Sequence, residues 1–269
     1  MPSPSTLTRT LGPDLVLAGK LGKKVDVLVV ALSTSDDGLE LSITDDISDD
    51  AIATELLDAF EAVGATGKAD EVVRIPAPAG LAVASVLAVG LGNAADIDSE
   101  RIRHSAGTAA RALSGVETAA TTLSALDLGA AAEGFFLGAY QFAEFKSALS
   151  APKPSALPVT RIELLVPDTR SKDAKRELER SIAIAESVAV ARDFVNTPPS
   201  HLYPEEFAAQ AKALGKAAGL EVEILDDKAL EKGGYGGIHG VGKGSSRLPR
   251  LVRLTHSGGK RGAKKVALV

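Results

Sequence analysis

The sequence contains no cysteine and no tryptophan, and aromatic residues make up only 4% of it. Without cysteine there is no disulfide, no thiolate metal site and no cysteine nucleophile. With so few aromatics, the core of this 269-residue chain must be filled by Ala, Val, Leu and Ile. Hydrophobic residues at 45% against 24% charged are nevertheless enough to bury one. The start of the sequence does not read as a signal peptide: Lys and Arg are sparse there, and the apolar run after Arg9 is broken by Asp14. One charge-free stretch of 21 residues, Ile75 to Ala95, has the length of a membrane span. It carries Pro76, Pro78, Gly80, Gly90 and Gly92 and is otherwise mostly Ala and Val, which suits a turn, a buried strand and a glycine loop better. The composition predicts a soluble, cytoplasmic protein with no membrane partner.

Chemistry-bearing motifs are scarce as well. His104, His201, His239 and His256 fall at no metal-ligand spacing, and no G-x-S-x-G marks a serine nucleophile. The four histidines therefore read as surface or core hydrogen-bonders. The acidic pairs Asp36-Asp37, Asp45-Asp46 and Asp49-Asp50 lack the order of a calcium loop and read as solvated helix caps. "GIHGVGKGSS" (Gly237 to Ser246) resembles a phosphate loop, but Gly244 stands where Ser or Thr should bind magnesium. A short helix is expected before it and a strand after it, the reverse of a phosphate-loop context. Its glycines are better read as allowing a tight crossing of backbone.

What the chain does have is alternation. Strand-like segments are expected at Lys24–Leu32, Glu71–Ile75, Val83–Gly90, Val116–Leu126 and from Arg161, the first of them covered on both faces. Helices are expected from an N-cap at Ser99 to about Leu113, and over Gly129–Phe145. This predicts an N-terminal α/β domain with a parallel or mixed sheet, residues 1–168. The Pro/Ser/Ala-rich stretch Lys146–Pro158 is either an interdomain linker or a surface loop of that domain, and the strand right after it favours the loop.

A helix over Ser171–Asn196 follows, with Leu178, Ile182, Ala185 and Ala189 in one apolar stripe. It meets "ARDFVNTPPSHLYPEEFAAQA" (Ala191 to Ala211), in which Pro198 should end it, Pro199 should prolong an extended segment, and Pro204 should open the next helix. A rigid joint between two bodies is predicted. Residues 169–196 form the connecting helix and 197–269 begin a second α/β body, with strands at Leu220–Leu225, Arg250–Thr255 and Lys265–Val269 and a short helix at Asp227–Lys232. From Lys228 onward ten Lys or Arg oppose one acid, Glu231, so the part before it carries −14 against −5 overall. Nucleic-acid binding by this basic stretch is weakly supported, because only Tyr235 lies among the charges. Pairing with acidic groups outside the chain is the preferred reading.

Taken together, "ARDFVNTPPSHLYPEEFAAQA", "GLEVEILDDKALEKGGYGGIHGVGKGSSRLPRLVRL" and "AAAEGFFLGAYQFAEFK" resemble the leucyl (cytosol) aminopeptidase family, weakly before about residue 125 and strongly from Val190. Tyr203 departs from it, standing where relatives often have a capping Thr. The resemblance implies a small N-terminal α/β domain, a connecting helix and a catalytic α/β domain, assembled as a cytoplasmic homo-hexamer. It implies removal of N-terminal residues, leucine by preference, from peptide substrates by water held between two divalent ions, manganese or zinc. In the family the ligands, carboxylates and one lysine, follow a hydrophobic strand that "KKVALV" resembles, at whose threshold this sequence stops. No catalytic, substrate-binding or metal residue is therefore assigned, and the chain is expected to be inactive alone. The alternative is a non-catalytic α/β module for ligand binding or assembly.

Overall fold

The computed structural model describes residues 12–43, 50–147, 153, 156–260 and 262–269. Arg9, Asp45, Asp46, Asp49 and most of the 148–155 stretch, on which expectations were placed, lie outside the described residues. The chain divides into two compact units, one reaching to Asp193 and the other beginning at Phe194.

The first unit is a seven-stranded mixed sheet. Its strands are β1 (Asp14–Ala18), β2 (Val27–Ser35), β3 (Gly38–Ser42), β4 (Val72–Pro76), β5 (Ser85–Asn93), β6 (Thr118–Thr121) and β7 (Arg161–Leu165). They lie in the order β1-β7-β6-β2-β5-β4, with β3 beside β2. β1, β7, β6, β2 and β5 run parallel, whereas β3 and β4 are antiparallel to their neighbours. β2 is central, and its alternate residues feed two cores, as a strand buried on both faces must. Val27, Val29 and Ala31 join the core shared with α2 (Ser99–Ala112), α4 (Leu128–Gly138) and α5 (Lys172–Asn196). Leu28, Val30 and Leu32 join the core under Leu56 and Phe60 of α1 (Asp50–Ala62). The result is a sheet between two helical layers.

Several local expectations are corrected. The cap of α2 is Asp98, which accepts from the Arg101 amide at 2.7 Å; Ser99 is the first helical residue and donates to Asp127 Oδ2 at 2.5 Å. The strand expected over Val116–Leu126 is only Thr118–Thr121, followed by the short helix α3 (Leu123–Leu126). One edge of β2 is taken by β6 only as far as Val29, because β3 occupies it from Ala31 to Ser35. Hydroxyls then turn the chain: the Leu123 amide donates to Thr121 Oγ1, and Ser124 donates to the carbonyls of Thr121 and Leu165. The helix expected over Gly129–Phe145 stops at Gly138, and Tyr140 beyond it is held by Asp193. β1 and β3 were not foreseen, and Asp36-Asp37 form the β2–β3 hairpin turn before Gly38 (φ 120°) rather than a helix cap.

Two small-residue contacts bring α4 onto α2. A Cβ on Gly134 would stand 2.2 Å from the Arg103 carbonyl oxygen, and one on Gly138 would stand 2.4 Å from that of Gly107. Across this seam Arg103 Nε donates to buried Glu133 Oε2 at 2.7 Å. The stripe of α5 packs into the same core through Leu178, Ala185 and Ala189, with Ile182 at its margin.

In the second unit, α6 (Pro204–Ala217) packs on a two-stranded antiparallel sheet of β8 (Glu221–Leu225) and β9 (Leu251–Thr255). Between the strands lie α7 (Asp227–Lys232) and α8 (Gly236–Gly242). Lys265–Val269, expected as a strand, pairs with nothing described, and Val266 and Leu268 are exposed. A single strand in water has no ladder to join. No helix among the described residues is long and apolar enough to cross a membrane.

Candidate functional site

The proline corner draws its order from both sequence directions. Upstream, Asp193, buried at the end of the first unit, accepts from the Tyr140 hydroxyl at 2.9 Å. Its neighbour Arg192 lies over the Tyr140 ring, 5.4 Å from the centroid, and donates to the Leu137 carbonyl at 3.0 Å. The "RD" of the corner motif thus ties α5 to the end of α4. Downstream, the Pro198 carbonyl accepts from the amides of both His201 and Leu202 at 2.9 Å. The segment after Pro198 is therefore a tight turn, not the extended stretch expected from Pro199. A proline just after the first residue of a turn has its φ already set for it. Pro204 does open α6, with Glu205 and Glu206 in its first turn.

Tyr203 precedes Pro204 and caps α6 without a side-chain hydrogen bond. Its ring is used otherwise: the Arg247 guanidinium carbon sits 3.9 Å from the centroid. The phosphate-loop lookalike is mostly helix α8, preceded by α7 and followed by β9. The close crossing expected of its glycines is found at Gly242, where a Cβ would meet the Pro249 ring at 2.6 Å; a Cβ at Gly237, Gly240 or Gly244 would meet nothing within 4 Å.

The histidines are dispersed. His104 Nδ1 lies 2.7 Å from Asp70 Oδ1, and His201 Nδ1 lies 3.0 Å from Ser200 Oγ. His239 Nδ1 is buried with no described hydrogen-bond partner. His104 borders an open hollow of about 340 Å³ that is also lined by Asp70, Asp96, Asp98, Glu100 and Arg101. Those groups are exposed enough to be hydrated, and Arg101 lies 3.9 Å from Asp70. No three His, Cys, Asp or Glu side chains among the described residues are placed to hold a metal ion. The hydrogen bond to Glu133 holds the Arg103 guanidinium above its ordinary pKa, against the opposing effect of burial. It serves the α2–α4 seam.

Two of the ten cations of the basic stretch, Arg250 and Arg253, have acidic partners inside the chain. Arg253 pairs with Glu223, and Arg250 lies 3.5 Å from Asp227 and 3.8 Å from Glu205.

Comparison with known proteins places both parts of the chain in one family. Residues 27–149 match the N-terminal domain of the cytosol aminopeptidase family, and residues 189–269 match its catalytic domain. The chain belongs to the cytosol aminopeptidase family. It is 64% identical over 261 residues to a probable cytosol aminopeptidase of Rhodococcus erythropolis, covering 97% of this chain and 52% of that one. A Nocardia farcinica relative with the same description is 56% identical, again over 97% of this chain and 52% of its own length. The chain thus spans about half the length of the curated relatives it matches. Among solved structures, the bottromycin maturation enzyme BotP superposes with TM-score 0.68 at 27% identity, over 87% of this chain and 46% of that one. A tomato leucine aminopeptidase mutant superposes with TM-score 0.68 at 17% identity, over 91% of this chain and 52% of that one, a likeness of fold.

The Tyr140–Asp193 couple was missed from sequence. The signal available was an Arg-Asp pair at the end of a long apolar-striped helix, where a buried carboxylate needs a donor.

Proposed function

We propose that this chain forms the N-terminal domain (1–168), connecting helix (169–196) and first catalytic-domain segment (197–269) of a leucyl aminopeptidase. Such an enzyme is a hydrolase that releases N-terminal amino acids, leucine by preference, from peptides in the cytoplasm as a homo-hexamer. The observation that carries the reading is the 64% identity to the Rhodococcus erythropolis relative across 97% of this chain. In the complete enzyme two divalent ions, manganese or zinc, supply the Lewis acid and the activated water. A BotP structure described as a complex with Mn supports manganese. The described residues do not fit a metal pair, so no ligand and no reaction step is placed on them. This half contributes the joint, the sheet and the first strands on which a catalytic site is mounted.

The test compares two polypeptides with leucine p-nitroanilide, each with and without added manganese. One is the 269-residue chain; the other is the same chain fused to the remaining half of the Rhodococcus erythropolis relative. Hydrolysis by the fusion and none by the short chain is expected. Turnover by the rigorously purified short chain, or a folded fusion that never turns over, overturns the reading.

A further inference from the structure

Residues 243–250 bridge α8 and β9, and the bridge is fastened to the start of α6 at two places. Arg247 is the first, with its guanidinium carbon 3.9 Å from the centre of the Tyr203 ring. Arg250 is the second, its side chain only 17% exposed. Its Nη1 reaches Asp227 Oδ1 at 3.5 Å and donates to the carbonyls of Pro249 and Leu248 at 3.0 and 3.4 Å, while Nη2 lies 3.8 Å from Glu205 Oε1. One guanidinium thus touches α6, α7 and its own loop, a fan that a point-charge ammonium could not reproduce. Pro249, next to it, closes against Gly242.

The two fastenings differ in kind. Arg250 is enclosed and its contacts are shared among three segments. Arg247 and the residues before it, Lys243 to Ser246, are exposed. Its described hydrogen bonds are short-range: the Lys243 amide to the His239 carbonyl at 2.9 Å, the Ser245 amide to the Gly242 carbonyl at 3.1 Å and the Arg247 amide to Ser245 Oγ at 3.0 Å. A Cβ added at Gly244 would meet nothing within 4 Å. A segment with one deep anchor, one surface contact and few internal bonds opens from the surface end first.

We propose that residues 243–250 form a strap with a fixed end at Arg250 and a releasable end at Arg247, latched by the Tyr203 ring. The latch lies on the residue just before Pro204, so closing the strap joins the proline corner to the start of β9. Opening it frees residues 243–248 while Arg250 keeps β9 in place. Tyr203, which gives α6 no capping hydroxyl, has the latch as its function.

Hydrogen–deuterium exchange on the 269-residue chain tests this, with variants Tyr203→Thr, Tyr203→Phe, Arg247→Met and Arg250→Lys. In Tyr203→Thr and Arg247→Met the amides of residues 244–248 should exchange about fivefold faster, the scale of one exposed cation–π contact. Combining the two changes should add nothing further, because both remove the same contact. Tyr203→Phe keeps the ring face and should stay close to the parent. Arg250→Lys should speed exchange at the start of β9 as well. Unchanged exchange at 244–248 in both single variants overturns the proposal. So does acceleration spread evenly over α6, α7 and the β8–β9 sheet, which would mean general loosening of the unit.

Discussion

The Tyr140 hydroxyl and the Asp193 carboxylate meet at 2.9 Å in a part-buried position, 53 residues apart in sequence. One follows the end of α4, and the other lies near the end of α5. A hydrogen bond to a charged group is stronger than a neutral one, and a buried acceptor that loses a donor keeps the desolvation cost. Tyr140→Phe should therefore lower the unfolding free energy by about 1–3 kcal/mol. Urea denaturation followed by circular dichroism measures it. A loss within error of zero would mean that water or another group replaces the hydroxyl.

The α2–α4 seam holds an ion pair whose halves are unequally exposed, Arg103 at 32% and Glu133 at 11% of the side chain. Removing the cation leaves a carboxylate largely out of water, whereas neutralising the acid leaves a guanidinium that still reaches solvent and Glu100. Arg103→Met should cost about 2–3 kcal/mol, nearer the lower end of the buried-pair range because Arg103 is partly solvated. Glu133→Gln should cost less, and Arg103→Met combined with Glu133→Gln less than the sum. Additive losses in that cycle would show that the pair is not coupled.

Glycine-to-alanine changes separate helix propensity from packing. In a helix interior the change ordinarily gains about 1 kcal/mol. At Gly138 the new Cβ would stand 2.4 Å from a backbone carbonyl that cannot rotate away, so the helices must part. The overpacking cost of about 1–3 kcal/mol then exceeds the propensity gain, and Gly138→Ala should destabilise. Gly240→Ala in α8, where the new Cβ would meet nothing within 4 Å, should stabilise by about 0.4–1 kcal/mol. The two thermal midpoints should move in opposite directions.

These contrasts also show which parts of the fold were legible. The β-branched runs around Val27–Leu32 and Val86–Val89 declare buried strands, because only an element covered on both sides is apolar without a period. The stripe Leu178–Ala189 declares a helix for the complementary reason. Failures came where short polar groups decide locally. Asp98 and Ser99 are both good caps, and only the position of Asp127 in space gives Ser99 another partner. Val116–Leu126 has strand composition throughout, but β3 occupies the edge that a longer β6 would need. Lys265–Val269 has strand composition too, and no described neighbour offers it a ladder. At the candidate site the corner motif was legible, since three prolines in seven residues restrict the chain by themselves. The tyrosine partners of Asp193 and Arg247 were not, because those pairings join residues distant in sequence.

The proline corner itself carries the last prediction. Pro198 ends α5 after Asn196, and its carbonyl receives the two amides that close the turn. Replacing Pro198 and Pro199 with Ala leaves both hydrogen bonds possible, because the acceptor is a main-chain oxygen. The folded state therefore keeps its contacts, and the effect falls on the unfolded chain, which gains backbone freedom at two positions. The double variant should lose about 1 kcal/mol or somewhat more in urea denaturation. Extra helix beyond Asn196 is opposed by Thr197, which is buried and would have to rotate out of place. In the fusion with the relative's second half, the same change should lower thermal stability or assembly while the assembled fraction keeps its KM, because prolines offer no group that holds a peptide. An equally stable, equally assembled variant whose KM rises many-fold would place the corner in the substrate site and overturn its structural role.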